Sequence, residues 1–489
     1  MKILKTRREE IIIGLLAIGT YIICLINDFH ADDWIVLSNL RDGFSLSDFL
    51  SMENPGRLRP LTNILLYFRY LVFVDTPLPY YSLNVILHAT VAIMLYRLLL
   101  KIELPPTASF LSALIFATYF QHYEAVIWLY GIIRELAAIF YILCLWHLHN
   151  FVIGESKKSF WLFAVFSFLG LFVVEDFVIA PIAFSVFVLL FAGRGRVTRI
   201  LKPVIISSVI VLLIYFSLRT ALIARPGVTE QYYYFGSHMF RVLFEYIGWF
   251  VVPSPEHTYF QSFAARLYDP IFYLWKGAYY LAMVGLIPFL IWLYIKSPKP
   301  VRFFILLIPI MLLPILPLEY KVGSRNIYPP SLGIAAIAGY IFHSLIWNKK
   351  ISLWLRRTCL AALLTYIGIS MVAINIASLE YHKTQVLVAD IIEDLRESGV
   401  DFNQYKFTLF DNVPGRAIIG PSMMYKMDYK WHVIASNDAV AGPIDIKKKA
   451  DSLHNKGVPI VVFAYRDGHM VEATKEYISV GKIDSSLSE

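Results

Sequence analysis

The chain has 489 residues, is 58% hydrophobic and 16% charged, and has a mean hydropathy of +0.60. Those values exclude an ordinary soluble protein, because many apolar runs approach the roughly 20 residues a membrane-spanning helix needs. The net charge of +8 is not a nucleic-acid signature, since much of the basic charge lies in short turns between apolar runs, where it sets orientation.

The start, Met1 to Arg8, is basic, and Glu9 and Glu10 interrupt it before a long apolar run. With no small-residue cleavage site following, it reads as an uncleaved first span, about Ile11 to Ile26. The positive-inside rule sends that span outward, so Asp32 and Asp33 emerge on the outer face. An acidic pair at a membrane boundary can take a proton, hold a divalent metal, or cap the amphipathic run Trp34 to Leu50. Residues 31–79 form the first external loop, in which the run 61–75, carrying Arg69, suits an interfacial helix.

Span two runs from about Tyr80 to Leu100, span three from Thr107 to Phe120, and span four from Val126 to His147. Span five (Phe160 to Val174) leads out to Glu175 and Asp176. Span six (Phe177 to Ala192) returns to Arg194, Arg196, Arg199 and Lys202, and span seven covers Pro203 to Ile223. A second large external loop, 224–270, contains the short amphipathic run Val242 to Val252. Spans eight to eleven follow, at Ile271–Ile295, Phe303–Leu318, Leu332–Trp347 and Thr358–Ala377. The basic turns alternate sides over about eleven crossings. Cys24, Cys144 and Cys359 fall in apolar runs without metal spacing and read as structural thiols.

After Ala377 the composition turns mixed and charged. Residues 1–378 therefore read as the membrane domain and 379–489 as a small extracytoplasmic α/β domain. Its helix-like run is Val386–Glu397, and its strand-like runs are Tyr405–Phe410 and Val458–Ala464. Lys447, Lys448 and Lys449 read as a solvated helix face. The fold class is a polytopic α-helical membrane protein with a C-terminal α/β domain.

The ionisable residues near outer span ends are Asp32, Asp33, Arg57, Arg59, His122, Glu124, Arg134, Glu135, Glu175, Asp176, Glu319, Lys321 and Arg325. Charge at such depth lines a cavity or pairs with its opposite, and ion pairs that tie helices together are the structural alternative. Carboxylates beside several arginines suit an anionic substrate and a proton acceptor. A guanidinium fork matches phosphate oxygens, and a carboxylate can deprotonate an incoming hydroxyl. The chemistry that fits is transfer of a lipid-carried group to an external acceptor. A transporter or flippase is the alternative, although neither paired halves nor broken mid-membrane helices are visible.

Five motifs in order carry a family resemblance: Ala31-Asp32-Asp33-Trp34, Arg59-Pro60-Leu61-Thr62-Asn63, Tyr80-Tyr81-Ser82-Leu83-Asn84 continuing to His88, His122-Tyr123-Glu124 continuing to Trp128 with Gly131 and Arg134-Glu135, and Ser324-Arg325-Asn326 continuing to Ser331. Over roughly residues 1–350 the chain resembles the GT-C superfamily of membrane glycosyltransferases, particularly its protein O-mannosyltransferase and TMTC-like branch. The resemblance implies a polyprenyl-phosphate sugar donor, inversion at the anomeric carbon, and Asp32 or Asp33 as catalytic base. It implies Arg59, Arg134 and Arg325 as phosphate contacts and His88, His122, Glu124, Glu135 and Glu175 as site-lining groups. Membrane lipid and an unidentified extracytoplasmic acceptor are the implied partners, in a prokaryotic plasma membrane with the N-terminus cytoplasmic. No spacing in the sequence demands a cofactor, and a divalent ion on Asp32, Asp33, Glu124 and His122 stays open. Val174-Glu175 departs from the Lys-Glu of relatives, and the α/β tail replaces the helical repeats of TMTC proteins.

Overall fold

The computed structural model describes residues 2–29, 32–41, 58–222, 234–251, 269–318, 323–412, 423, 426–427, 432–435, 437–438 and 442–478. The chain divides into two compact units: Met1–Asn27 with Phe44–Leu379, and Asp28–Gly43 with Glu380–Glu489. Arg57, Glu319, Lys321 and most of the two large loops lie outside the described residues.

The first unit is helical. Five helical stretches are long and apolar enough to cross a membrane: Pro77–Lys101, Leu129–Gly154, Arg194–Leu222, Pro270–Lys296 and Leu353–Glu397. They make the chain an integral membrane protein. Large apolar side chains such as Ile206, Val209, Ile210 and Leu213 stay exposed on the third of these, as lipid contact requires. The helix Pro77–Lys101 has prolines in its first turn, where no amide donor is needed, and Lys101 in its last.

Other spans depart from the sequence reading. Pro106–Ala117 and Ala180–Phe191 have 12 residues each, about 18 Å of helix against a core of about 30 Å. Pro106–Ala117 packs against Ser331–Ile346. Contact there is close enough that a Cβ on Gly339 would stand 2.2 Å from the Ser112 hydroxyl. Span four does not begin at Val126. The chain instead makes a 3-10 turn at Phe120–His122, one α-turn at Tyr123–Val126, a second 3-10 turn at Leu129–Gly131, and then the helix Ile132–Gly154.

Irregular backbone among apolar helices is tolerated only where its polar groups are satisfied by protein. Buried Asn84 donates to the carbonyls of Val126 at 3.2 Å and Trp128 at 2.8 Å. Buried Arg69 donates to Leu129 O at 3.4 Å and to Tyr80 O at 2.8 Å. At Gly131 a Cβ would lie 1.9 Å from the Ala125 carbonyl oxygen, so only glycine closes this turn.

The second unit carries the sheet. The parallel strands β1 (Phe407–Asp411), β2 (His432–Ala435) and β5 (Ile460–Arg466) and the antiparallel β6 (His469–Glu472) lie in the order β2-β1-β5-β6. A separate two-stranded ribbon pairs β3 (Asn437–Asp438) with β4 (Gly442–Pro443). Phe410, Val461 and Phe463 pack with Ile391, Ile392 and Leu395. Those last three residues belong to the 45-residue helix Leu353–Glu397. The apolar span and the helix-like run after it are therefore one continuous helix. Lys447, Lys448 and Lys449 lie exposed on the helix Ile446–His454, which Asp445 caps through the Lys448 amide at 3.0 Å, as the solvated-face reading expects.

The helix Asp32–Arg41 also belongs to the second unit. Asp32 opens it and Asp33 follows. Asp33 shares the spacing i, i+3, i+4, i+7 with Val36, Leu37 and Leu40, and all four are buried. A carboxyl therefore occupies the first place in an otherwise apolar stripe.

Candidate active site

Three breaks in helical structure bring the charged residues of the first unit together. They are the segment 118–131, the 3-10 turn Glu175–Ile179, and the 3-10 turn Ser324–Ile327 ahead of Pro329 and Pro330. Arg59 sets Nε and Nη2 on the same oxygen of Glu175, at 2.7 and 2.6 Å. Arg134 donates from Nη1 to Asp176 at 2.5 Å and from Nη2 to the Asn326 side-chain oxygen at 2.7 Å. Arg325 donates from Nη1 to Glu124 at 3.0 Å and from its backbone amide to the other oxygen at 3.1 Å.

Because Glu175 precedes Asp176 and Arg325 precedes Asn326, the pairs join into one row: Arg59, Glu175, Asp176, Arg134, Asn326, Arg325, Glu124. Neighbouring groups fix its members. Thr62 ties the helix after Arg59 to the Val173 carbonyl at 3.0 Å. Ser324 donates to Glu124 at 2.8 Å. Asn326 donates to the Tyr246 hydroxyl at 3.1 Å, and burial pushes that hydroxyl up to about 12, so it stays protonated. A cavity of ≈ 10 Å³, about the room one water takes, is lined by Arg134, Asp176, Asn326 and Tyr141 among others.

The arginines differ in what remains open. Arg134 spends both terminal nitrogens on fixed partners. Arg325 lies across the Trp128 ring, 4.5 Å from its centroid, with a third of its side chain exposed. Its Nε and Nη2 have no partner among the described residues. Two of its nitrogens therefore stay open, and the aromatic face holds the guanidinium flat.

Of the other expected lining residues, Glu124 and Glu175 are bound into the row, whereas His88, His122 and Glu135 are buried in the helix core. His88 bridges the Tyr328 hydroxyl at 2.8 Å and the Ala117 carbonyl at 3.1 Å. His122 Nε2 meets Ser331 Oγ at 2.6 Å, and the two imidazoles stand edge to face at 5.3 Å. Glu135 has no hydrogen-bond partner for either carboxyl oxygen among the described residues. Cys24 and Cys144 are buried and free.

A metal does not suit the ligands considered from sequence in this unit. Glu124 has both oxygens engaged, and His122 is tied to Ser331 through Nε2, which leaves only its buried Nδ1 open. Among the described residues no group of three or more His, Cys, Asp or Glu side chains is arranged to hold an ion.

Some contributors had no role assigned from sequence. Ser324 and Asn326 stood only as members of a motif and Tyr246 was not singled out, because these are ordinary polar residues whose importance comes from what they touch. Trp128 carried a signal only as an aromatic within a motif.

No protein-family model matches the sequence, and no curated protein sequence does either. Among solved structures, the fold resembles the oligosaccharyltransferase of Archaeoglobus fulgidus, solved with a tethered acceptor peptide containing the NVT sequon. That match has a TM-score of 0.50 and 10% identity, over 94% of this chain and 68% of that one. AglB from the same organism, in complex with an inhibitory peptide and a dolichol-phosphate, matches with a TM-score of 0.53 and 11% identity, over 95% and 69% of the two chains. At such identity the likeness is one of fold alone.

Proposed function

We propose that the protein is a membrane glycosyltransferase that moves one sugar from a polyprenyl-phosphate carrier to an extracytoplasmic acceptor, with inversion. The observation that carries this reading is Arg325, with two donors open over Trp128, at the end of a row that also holds Arg134 and Arg59. The fold likeness to an enzyme solved with a dolichol-phosphate supports it. In the reaction, a carboxylate of the pair Asp32 and Asp33 takes the acceptor proton. The acceptor oxygen bonds to the anomeric carbon, and the bond from that carbon to the phosphate oxygen breaks. Polyprenyl phosphate departs with the electron pair, and the guanidinium groups balance the charge it gains. Asp33 is the stronger candidate for the base, because a carboxyl on a buried apolar stripe is costly to keep.

The O-mannosyltransferase-like and TMTC-like branch, about eleven crossings, a cytoplasmic N-terminus, an extracytoplasmic C-terminal domain and a prokaryotic plasma membrane belong to the same reading. Purified protein in nanodiscs with radiolabelled dolichyl-phosphate mannose and glucose tests it. Sugar release that disappears in Arg325→Ala and Asp33→Ala is expected. Release unaffected by either substitution overturns the assignment.

A further inference from the structure

The residues around the acid pair are gripped by the C-terminal part of the chain. Within the second unit, Gln385 makes a two-point contact with a single residue. Its Oε1 accepts the Asp28 amide at 2.9 Å, and its Nε2 donates to the Asp28 carbonyl. Gln385 is buried on the long helix Leu353–Glu397, so this contact fixes both the distance and the rotation of the chain entering the acidic segment. The Asp28 carboxylate turns back to accept the Phe29 amide at 2.7 Å, and its other oxygen stands 3.9 Å from Lys426 Nζ.

Lys426 makes the second grip. Its ammonium lies 4.6 Å from the Trp34 ring centroid, while Phe29 meets the same ring edge-on at 5.3 Å. Trp34 is buried and directly follows Asp33. Arg396 anchors Lys426 in turn by donating to its carbonyl at 2.6 Å. One residue from each of two distant segments thus holds the chain on either side of the acid pair, at Asp28 and at Trp34.

We propose that Gln385 and Lys426 are positioning residues for the acid-bearing helix, which makes the C-terminal unit a working part of the catalytic machinery. This inference rests on the assignment of the base to Asp32 or Asp33. A base must be held to within a fraction of an ångström of its proton, and misplacement by about 1 Å costs up to about a hundredfold in rate. The amide clamp resists rotation, and the lysine and Phe29 together hold the indole beside Asp33.

The full chain in nanodiscs is the material for the test. Hydrogen exchange needs no substrate. In the double variant Gln385→Ala/Lys426→Met, amides of residues 32–41 are expected to exchange at least about tenfold faster, with strand 460–466 unchanged. Unchanged exchange over 32–41 overturns the proposal. With dolichyl-phosphate mannose as donor, each single variant is expected to lower kcat about tenfold and leave the donor KM alone. Lys426→Arg restores the rate, because it keeps the cation over the indole. Full kcat in Gln385→Ala and Lys426→Met, alongside inactive Asp33→Ala, removes the positioning role and leaves the base assignment standing. Full turnover in both Asp32→Ala and Asp33→Ala removes the base assignment, and the proposal with it.

Discussion

Glu124 holds Arg325 from two sides, with one carboxylate oxygen on the guanidinium at 3.0 Å and the other on the backbone amide at 3.1 Å. The residues are 201 positions apart. The double contact fixes where the arginine starts as well as where its side chain points. The remaining two guanidinium donors consequently face a defined direction over Trp128.

Replacing Glu124 with alanine releases that arrangement and leaves Ser324 without its acceptor. Turnover of a polyprenyl-phosphate sugar is expected to fall about 10- to 100-fold in kcat/KM. Glu124→Gln keeps one acceptor oxygen and loses less. Steady-state kinetics in nanodiscs checks the order: wild type, then Gln, then Ala.

Arg134 poses a different requirement. It bridges Asp176 and Asn326 with two nitrogens of one planar group. Lysine carries the charge at a single point and cannot hold both partners in that plane. Arg134→Lys is expected to lower activity about tenfold or more, while Asn326→Ala, which removes only the second partner, loses less. Equal activity of Arg134→Lys and wild type would show that charge alone suffices there.

Chain order alone places the charged residues of the row near the same ends of successive spans, and the motif Arg59-Pro60 through Ser324-Arg325-Asn326 was visible as a resemblance. Pairing was not, because Arg59 meets Glu175 across 116 residues and nothing local selects that partner. The turn at 126–131 was hidden for a related reason. Val126, Ile127 and Leu129 are as apolar as any span, and the polar partners that satisfy a break there, Asn84 and Arg69, lie on other helices. The burial of Asp33 is legible in the sequence, since helical spacing with Val36, Leu37 and Leu40 puts it on the buried stripe. Gln385 and Lys426, which meet the chain at Asp28 and Trp34 on either side of it, are announced by no pattern near Asp33.

Chelation separates two chemistries for this site. Glu124 is committed to Arg325 and Ser324, so an ion there would have to displace them, and His122, held through Nε2 by Ser331, keeps only its buried Nδ1 open. Excess EDTA is expected to change the rate by less than about twofold, with the charge of the leaving phosphate met by guanidinium groups. A rate that collapses in EDTA and returns with added Mg²⁺ or Mn²⁺ would assign that charge to an ion.

Asn84 offers a test of what keeps the site's backbone in shape. Its amide nitrogen serves the carbonyls of both Val126 and Trp128, while its oxygen accepts from Arg69 Nη2 at 3.3 Å. Leucine has the same branched outline and the same number of side-chain heavy atoms, and offers none of these bonds. Asn84→Leu therefore leaves two carbonyls and a guanidinium nitrogen short of a partner without opening a cavity. Arg69 Nη2 keeps the Tyr80 carbonyl and the Trp128 carbonyl keeps the Gly131 amide, so at about 1–3 kcal/mol for a buried group left unsatisfied the substitution is expected to destabilise the protein by about 1–3 kcal/mol. Trp128 sits in the released turn, so Arg325 loses its platform at the same time. Thermal unfolding in detergent is expected to move down, and donor turnover to fall further than the stability loss accounts for when both are measured well below the transition. An unchanged midpoint would mean that the turn is held by its own 3-10 hydrogen bond from Gly131 to Trp128 and not by the asparagine.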